Sequence, residues 1–239
     1  MSNPAERLHA ILTKSKQKEL QGKNMMQGWR EVLQLSTDID DLMVMNKVGK
    51  IFTLPSIIAT HIQRFSDLDA DLFLGWRNDL TAAFRYIYFQ HNFQEFGNRL
   101  SDSLLINIRF CAHELEKRMP DKNVSHEDLA SIRELAWALY QEVLASEMPA
   151  HLFRYLLDYL YLIIEAIDDY EITGAAAAER AFNAVIGTIA TDSVNAKEAN
   201  DSKFGKPFWN VIGKVGVALK IAKTAVELAE GVQKLLPHP

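Results

Sequence analysis

The chain has one cysteine, Cys111, in 239 residues. No intramolecular disulfide is possible, which fits a reducing cytoplasm. Glycine (11) and proline (7) are sparse, and β-branched alternation is almost absent, so strands have little support. No stretch reaches about 18 apolar residues without a charge, so a conventional transmembrane helix is not expected. The most apolar run, Leu152 to Ile167, already contains Arg154, Asp158 and Glu165. The opening, "MSNPAERLHAIL", lacks a basic region followed by a long apolar run, so no secretory leader is expected. An overall basic charge is lacking too. The net charge is −5, and because the residues from Lys203 onward carry six lysines against two glutamates (+4), the rest carries −9. An acidic body disfavours nucleic-acid binding.

Motifs that carry chemistry are equally scarce. There is no HExxH, CxxC or Glu-x-x-His pair and no GxGxxG or GxxxxGK[ST] loop, so neither a cofactor nor a metal is expected. "DLDADL" spaces Asp67, Asp69 and Asp71 like the first ligands of a calcium loop but lacks the glycine and the terminal glutamate. Acids in the first turn of a helix explain it better. Cys111 and His113 lie two residues apart, pointing about 200° apart on a helix. They form no dyad, and Cys111 reads as a buried structural residue. The aromatics Tyr86, Tyr88, Phe89, Phe93 and Phe96 read as core.

What is present is helical periodicity. Residues 4–21 and 24–35 read as a first helix pair, and a third helix follows Ser36 and Thr37 with Asp38, Asp40 and Asp41 in its first turn. "TLPSIIATHIQRF" is a short helix, and Ser66 caps a long one, "SDLDADLFLGWRNDLTAAFRYIYFQHNF". Ser101 caps a helix that Pro120 ends. Ser125 with Asp128 forms a capping box, Pro149 opens the most apolar helix, and Gly174 introduces the last. The fold class is all-α: a multi-helix bundle over 1–190, a small polar stretch over 191–207 that reads as a linker, and a C-terminal amphipathic helix over 208–236.

The helix after Pro149 is apolar nearly all round, which predicts a central buried position. Arg154, Asp158, Tyr161, Glu165 and Asp168 share one polar stripe along it. In the C-terminal segment, Lys220, Lys223, Glu227, Glu230 and Lys234 occupy one arc of about 80°. Ala218, Ala222, Ala225 and Ala229 line the opposite face. Bulkier ridges flank them, with Phe208, Ile212, Val215, Leu219 and Val226 on one side and Val217, Ile221, Leu228, Val232 and Leu235 on the other. An alanine groove admits another helix closely. The apolar face has three possible covers: its own body, another subunit or partner, or, less favoured, a membrane.

"RYIYFQH" sets five residues between Arg85 and His91. The pair resembles the R-x4–6-H motif of HEPN ribonucleases, a family of small all-α domains in bacterial toxin and antiviral systems. The resemblance implies RNA cleavage by His91 and Arg85. It departs from the family at Tyr86, where a polar residue is frequent.

The expectation is therefore a non-enzymatic cytoplasmic protein that works by protein–protein contact or self-association. An adaptor, or an immunity-type or accessory component of a bacterial defence or toxin system, has this design. The alternatives are the HEPN-like ribonuclease and a membrane-acting effector driven by the C-terminal helix.

Overall fold

The computed structural model describes residues 3–35, 39–119 and 124–219. Among them the protein is all-α, with no strand and one isolated bridge, Asn24 to Asn92. The chain divides into two compact units, Met1–Asp121 and Lys122–Pro239, rather than near residue 191.

The first unit runs α1 Pro4–Ser15, a 3-10 turn Lys18–Leu20, α2 Met25–Val32, α3 Asp41–Ile51, α4 Leu54–Ile62, α5 Ala70–Leu74, α6 Arg77–Phe84, α7 Phe93–Gly97 and α8 Asp102–Arg118. Asn3 caps α1 through Ala5 and Glu6 and reaches 2.9 Å to the Ala112 carbonyl, tying α1 to α8. Asn24 and Gln27 form a reciprocal capping box on α2, and Asp40 caps α3, as short polar side chains do at helix starts. The core gathers Leu8, Leu12, Trp29, Ile51, Ile58 and Ile62 with Phe93, Phe96 and Ile108, all buried. Trp29 holds Phe93 edge-on at 5.4 Å and Phe96 at the same distance, geometries favoured by ring quadrupoles.

The single long helix expected over 66–93 is two short ones, α5 and α6, with α7 starting only at its last residue. The chain turns at Gly75–Trp76 and again through Arg85–Asn92. Long-range bonds explain the second break: Met25 N–H donates to the His91 carbonyl at 2.8 Å and Phe93 N–H to the Lys23 carbonyl at 2.9 Å. A continuous helix would use those groups internally. The onset expected at Ser36 to Asp38 and the end expected at Pro120 lie outside the described residues.

Among the described residues one stretch, Asp41–Ile62, is long and apolar enough on average to cross a membrane. It is α3 and α4 with a turn between them, and its Val44, Val48, Ile51, Leu54, Ile58 and Ile62 are buried in this unit.

Arg118 bonds both Asp67, at 2.8 Å, and Glu114. Its hydrogen bond holds the Asp67 carboxyl below the ordinary range, and bonds from Lys117 and then Arg118 do the same for Glu114. A carboxylate with a depressed folded pKa adds stability above its unfolded pKa and loses it as pH falls through the folded value. Acidification below the ordinary carboxylate range should therefore loosen the segment before α5 from the end of α8. Arg118→Ala should flatten that part of a stability–pH curve, modestly, because the pair is exposed. Equal acid sensitivity in both proteins would exclude the contribution.

The second unit runs α9 His126–Leu144, α10 Ala150–Asp168, α11 Tyr170–Thr173, α12 Ala175–Thr191, α13 Ser193–Asp201 and α14 Gly205–Ala218. Ser125 Oγ accepts from Asp128 N–H at 3.0 Å and lies 2.6 Å from the Asp128 carboxylate. Gly174, at φ +70°, makes the left-handed corner before α12, a conformation open to glycine at little cost. α10 is the hub, packed on α9, α12 and α13, as its nearly all-round apolarity predicts. Its Leu156, Leu160 and Ile163 are buried.

The expected linker over 191–207 is mostly helix. Asp192 caps α13 through the Asn195 N–H. Ala196 and Ala199, three residues apart and both fully buried, turn that helix's small face inward. Phe204 is buried as well, and α14 follows directly.

Candidate functional site

The expected contact residues of the C-terminal segment divide. Phe208 and Ile212 are fully buried with Val211, Val215 and Leu219 in the core of the second unit. α14 lies mainly on α9, with α12 and α13 beside it. This part of the apolar face is covered by the chain's own body. Ala218 is half-buried. Ala222, Ala225, Ala229 and Val232 lie outside the described residues.

Arg85 and His91 are both exposed, the first at the end of α6, the second beyond the turn. His91 Nδ1 lies 3.4 Å from the Glu95 carboxylate and its ring packs at 5.1 Å on Tyr88. No hydrogen bond joins His91 to Arg85 among the described residues. Cys111 is buried, receives the Trp76 Nε1–H at 3.3 Å and donates to the Phe73 carbonyl at 3.0 Å. Burial pushes its thiol up, away from the thiolate a nucleophile needs. Asp69 caps α5 through Asp71 N–H and Leu72 N–H. Of the aromatics, Phe93 and Phe96 are core, whereas Tyr86 and Tyr88 are exposed, with Arg99 stacked 4.0 Å over Tyr86.

The polar stripe of α10 resolves into separate uses. At its far end Asp168 takes a two-pronged bond from Arg133 of α9, Nε at 2.5 Å and Nη2 at 3.1 Å, the geometry that suits guanidinium and carboxylate. Tyr161 is exposed and Glu165 half-buried. At the near end Arg154 and Asp158 open onto a surface cleft of about 500 Å³, lined also by Ala150, His151, Tyr155, Tyr159 and Asn195. Its size falls in the range of small-molecule sites. His151 and Glu198 close one side, Nε2 to Oε2 at 2.7 Å between α10 and α13. Also on the α13 side, Asn195 Nδ2 donates to Asp192 at 2.7 Å.

Tyr155 is the unusual member. It is 6% exposed, stands edge-on to Tyr159 at 5.0 Å, and its hydroxyl is buried with no hydrogen-bond partner. Burial, then the charges of Tyr159 and Asp192, push its pKa up, so it stays a neutral phenol. An unpaired buried hydroxyl costs about 1–3 kcal/mol. The sequence marked Arg154 and Asp158 but missed Tyr155, Tyr159 and Asn195. Asn195 belongs to the stretch taken for a linker, and the spacing of Ala196 and Ala199 was the available signal.

A second exposed feature lies on α3. Leu42 is 70% exposed, and Met45 and Phe52 are exposed on the same side. Between them Gly49 has open space where a side chain would be. The Phe52 ring meets Phe84 at 4.7 Å.

Among its described residues the molecule is thus an all-α protein of two helical units, with a mixed-charge cleft on the second and exposed apolar side chains along α3 of the first. No protein-family model, curated protein or solved structure matches the chain.

Proposed function

We propose that this is a non-enzymatic cytoplasmic interaction protein whose work is contact with another protein. The observation that supports this most is the α3 face, where Leu42, Met45 and, against Phe84, Phe52 are exposed along one side of a helix with bare Gly49 between them. Soluble proteins seldom expose contiguous apolar surface without a use for it, and an apolar stripe over a small residue suits a docking helix. The C-terminal residues Ala222, Ala225, Ala229 and Val232 are proposed as a further contact, to a partner or a second copy. The single buried cysteine supports a reducing compartment. An adaptor, or an accessory or immunity-type role, is the class this architecture suits, by analogy alone.

The test is crosslinking with mass spectrometry on the native full-length protein, repeated for Leu42→Glu and Met45→Glu. Both positions are exposed, so the fold should keep its thermal unfolding. Crosslinks from α3 to a partner or a second copy are expected, and the variants should lose most of them. Variants that associate like the parent, or association that never involves α3, would refute this surface.

A further inference from the structure

We infer that the α10–α13 cleft binds a free α-amino acid with an apolar side chain, its carboxylate on Arg154, its ammonium on Asp158, and its side chain against Tyr159. This is independent of partner docking on α3.

Arg154 and Asp158 sit one turn apart on α10, about 6 Å along the axis. That spacing brings the two side chains within reach of an ion pair. Here neither residue makes one, with the other or with any other described residue, and both face the same cleft. Two opposite charges left unused at this separation match a ligand that carries both signs within a few bonds. A ligand with only an anion would meet Asp158, and one with only a cation would meet Arg154. A zwitterion satisfies both.

The floor selects the rest of the ligand. Tyr159, half-buried and set edge-on to the buried Tyr155, presents aromatic surface for an apolar side chain. The other polar groups nearby are committed: His151 to Glu198, and the Asn195 amide to Asp192. They hold the walls in place instead of competing for the ligand. The cleft has room for a molecule of amino-acid size and opens to solvent.

The experiment titrates L-phenylalanine into the ¹⁵N-labelled full chain and follows amide resonances of residues 150–159 and 195. Phenylalaninamide, which lacks the carboxylate, and N-acetylphenylalanine, which lacks the ammonium, are the comparison ligands. The parent should bind phenylalanine about tenfold or more tightly than either, the worth of one charge-assisted bond. Arg154→Ala should erase the preference over the amide, and Asp158→Asn the preference over the acetyl form. Both residues are exposed, so neither change should unfold the chain. Tyr155→Phe should leave unfolding of the free protein unchanged or raise its midpoint, since it removes an unpaired hydroxyl. No shift at these resonances with phenylalanine, equal binding of all three ligands, or preferences that survive both charge variants would each overturn the assignment.

Discussion

Phe208→Ala is expected to cost the second unit about 3–5 kcal/mol, the range for deleting a fully buried aromatic ring. Phe208 is wholly buried, with Val211 and Ile212 on the same inward side of α14, and it meets Trp209 edge-on at 5.1 Å. α14 rests mainly on α9. Removing the ring therefore leaves a cavity where the last described helix joins the unit's core. Hydrogen exchange by mass spectrometry separates the two units. Protection should fall across 126–144 and 205–219 and hold across 4–118. Trp209 should report the same loss in urea unfolding. A cost near 0.5 kcal/mol, the level of an ordinary surface change, would mean that α14 is not held against the body.

The outcome bears on function because it fixes how much apolar surface the C-terminal segment has to offer. Phe208 and Ile212 cannot meet a partner while they are inside their own core. A partner contact on this segment is left with exposed Val217, half-buried Ala218 and the residues beyond Leu219. Leu42, Met45 and Phe52 of the α3 face, by contrast, are exposed, and for that reason the interaction proposal rests there.

Much of the fold was legible because it follows from local rules. Ser101, Ser125 and Gly174 announce α8, α9 and α12, since a side-chain acceptor at a helix start or a left-handed glycine before one acts over three or four residues. The all-round apolarity of α10 foretold the hub. Two readings failed where distant parts of the chain decide. The apolar period of 66–93 continues without a strong breaker, but the backbone at His91 and Phe93 bonds to residues 23 and 25, and no window along the sequence shows that. In 191–207 the alanines looked like linker residues because they are small. Their size is what lets α13 lie close on α10. The cleft was half legible for the same reason. One helix carried a visible charged stripe, and the other wall came from the segment thought to be unstructured.

Gly205→Ala is expected to destabilise the second unit by about 2 kcal/mol or more, against the trend for helices. Alanine in place of glycine ordinarily favours a helix by up to about 1 kcal/mol. At Gly205, however, a Cβ would lie 2.3 Å from the Asn200 carbonyl oxygen and 2.8 Å from that of Ala199. Both oxygens belong to the last turn of α13, so the clash falls on backbone and cannot be relieved by turning a side chain. Overpacking of this kind costs about 1–3 kcal/mol and sometimes more. The strain should part α14 from α13 and, through α13, disturb the Asn195 wall of the cleft. Gly187→Ala in α12 is the control. Nothing lies within 4 Å of its Cβ position, so the same substitution there should stabilise the unit or leave it unchanged. Opposite signs at the two glycines, read by thermal unfolding and by exchange across 193–219, would establish the tight α13–α14 corner. Equal behaviour would show that the corner has room for a methyl group and that the two helices do not meet as closely as described.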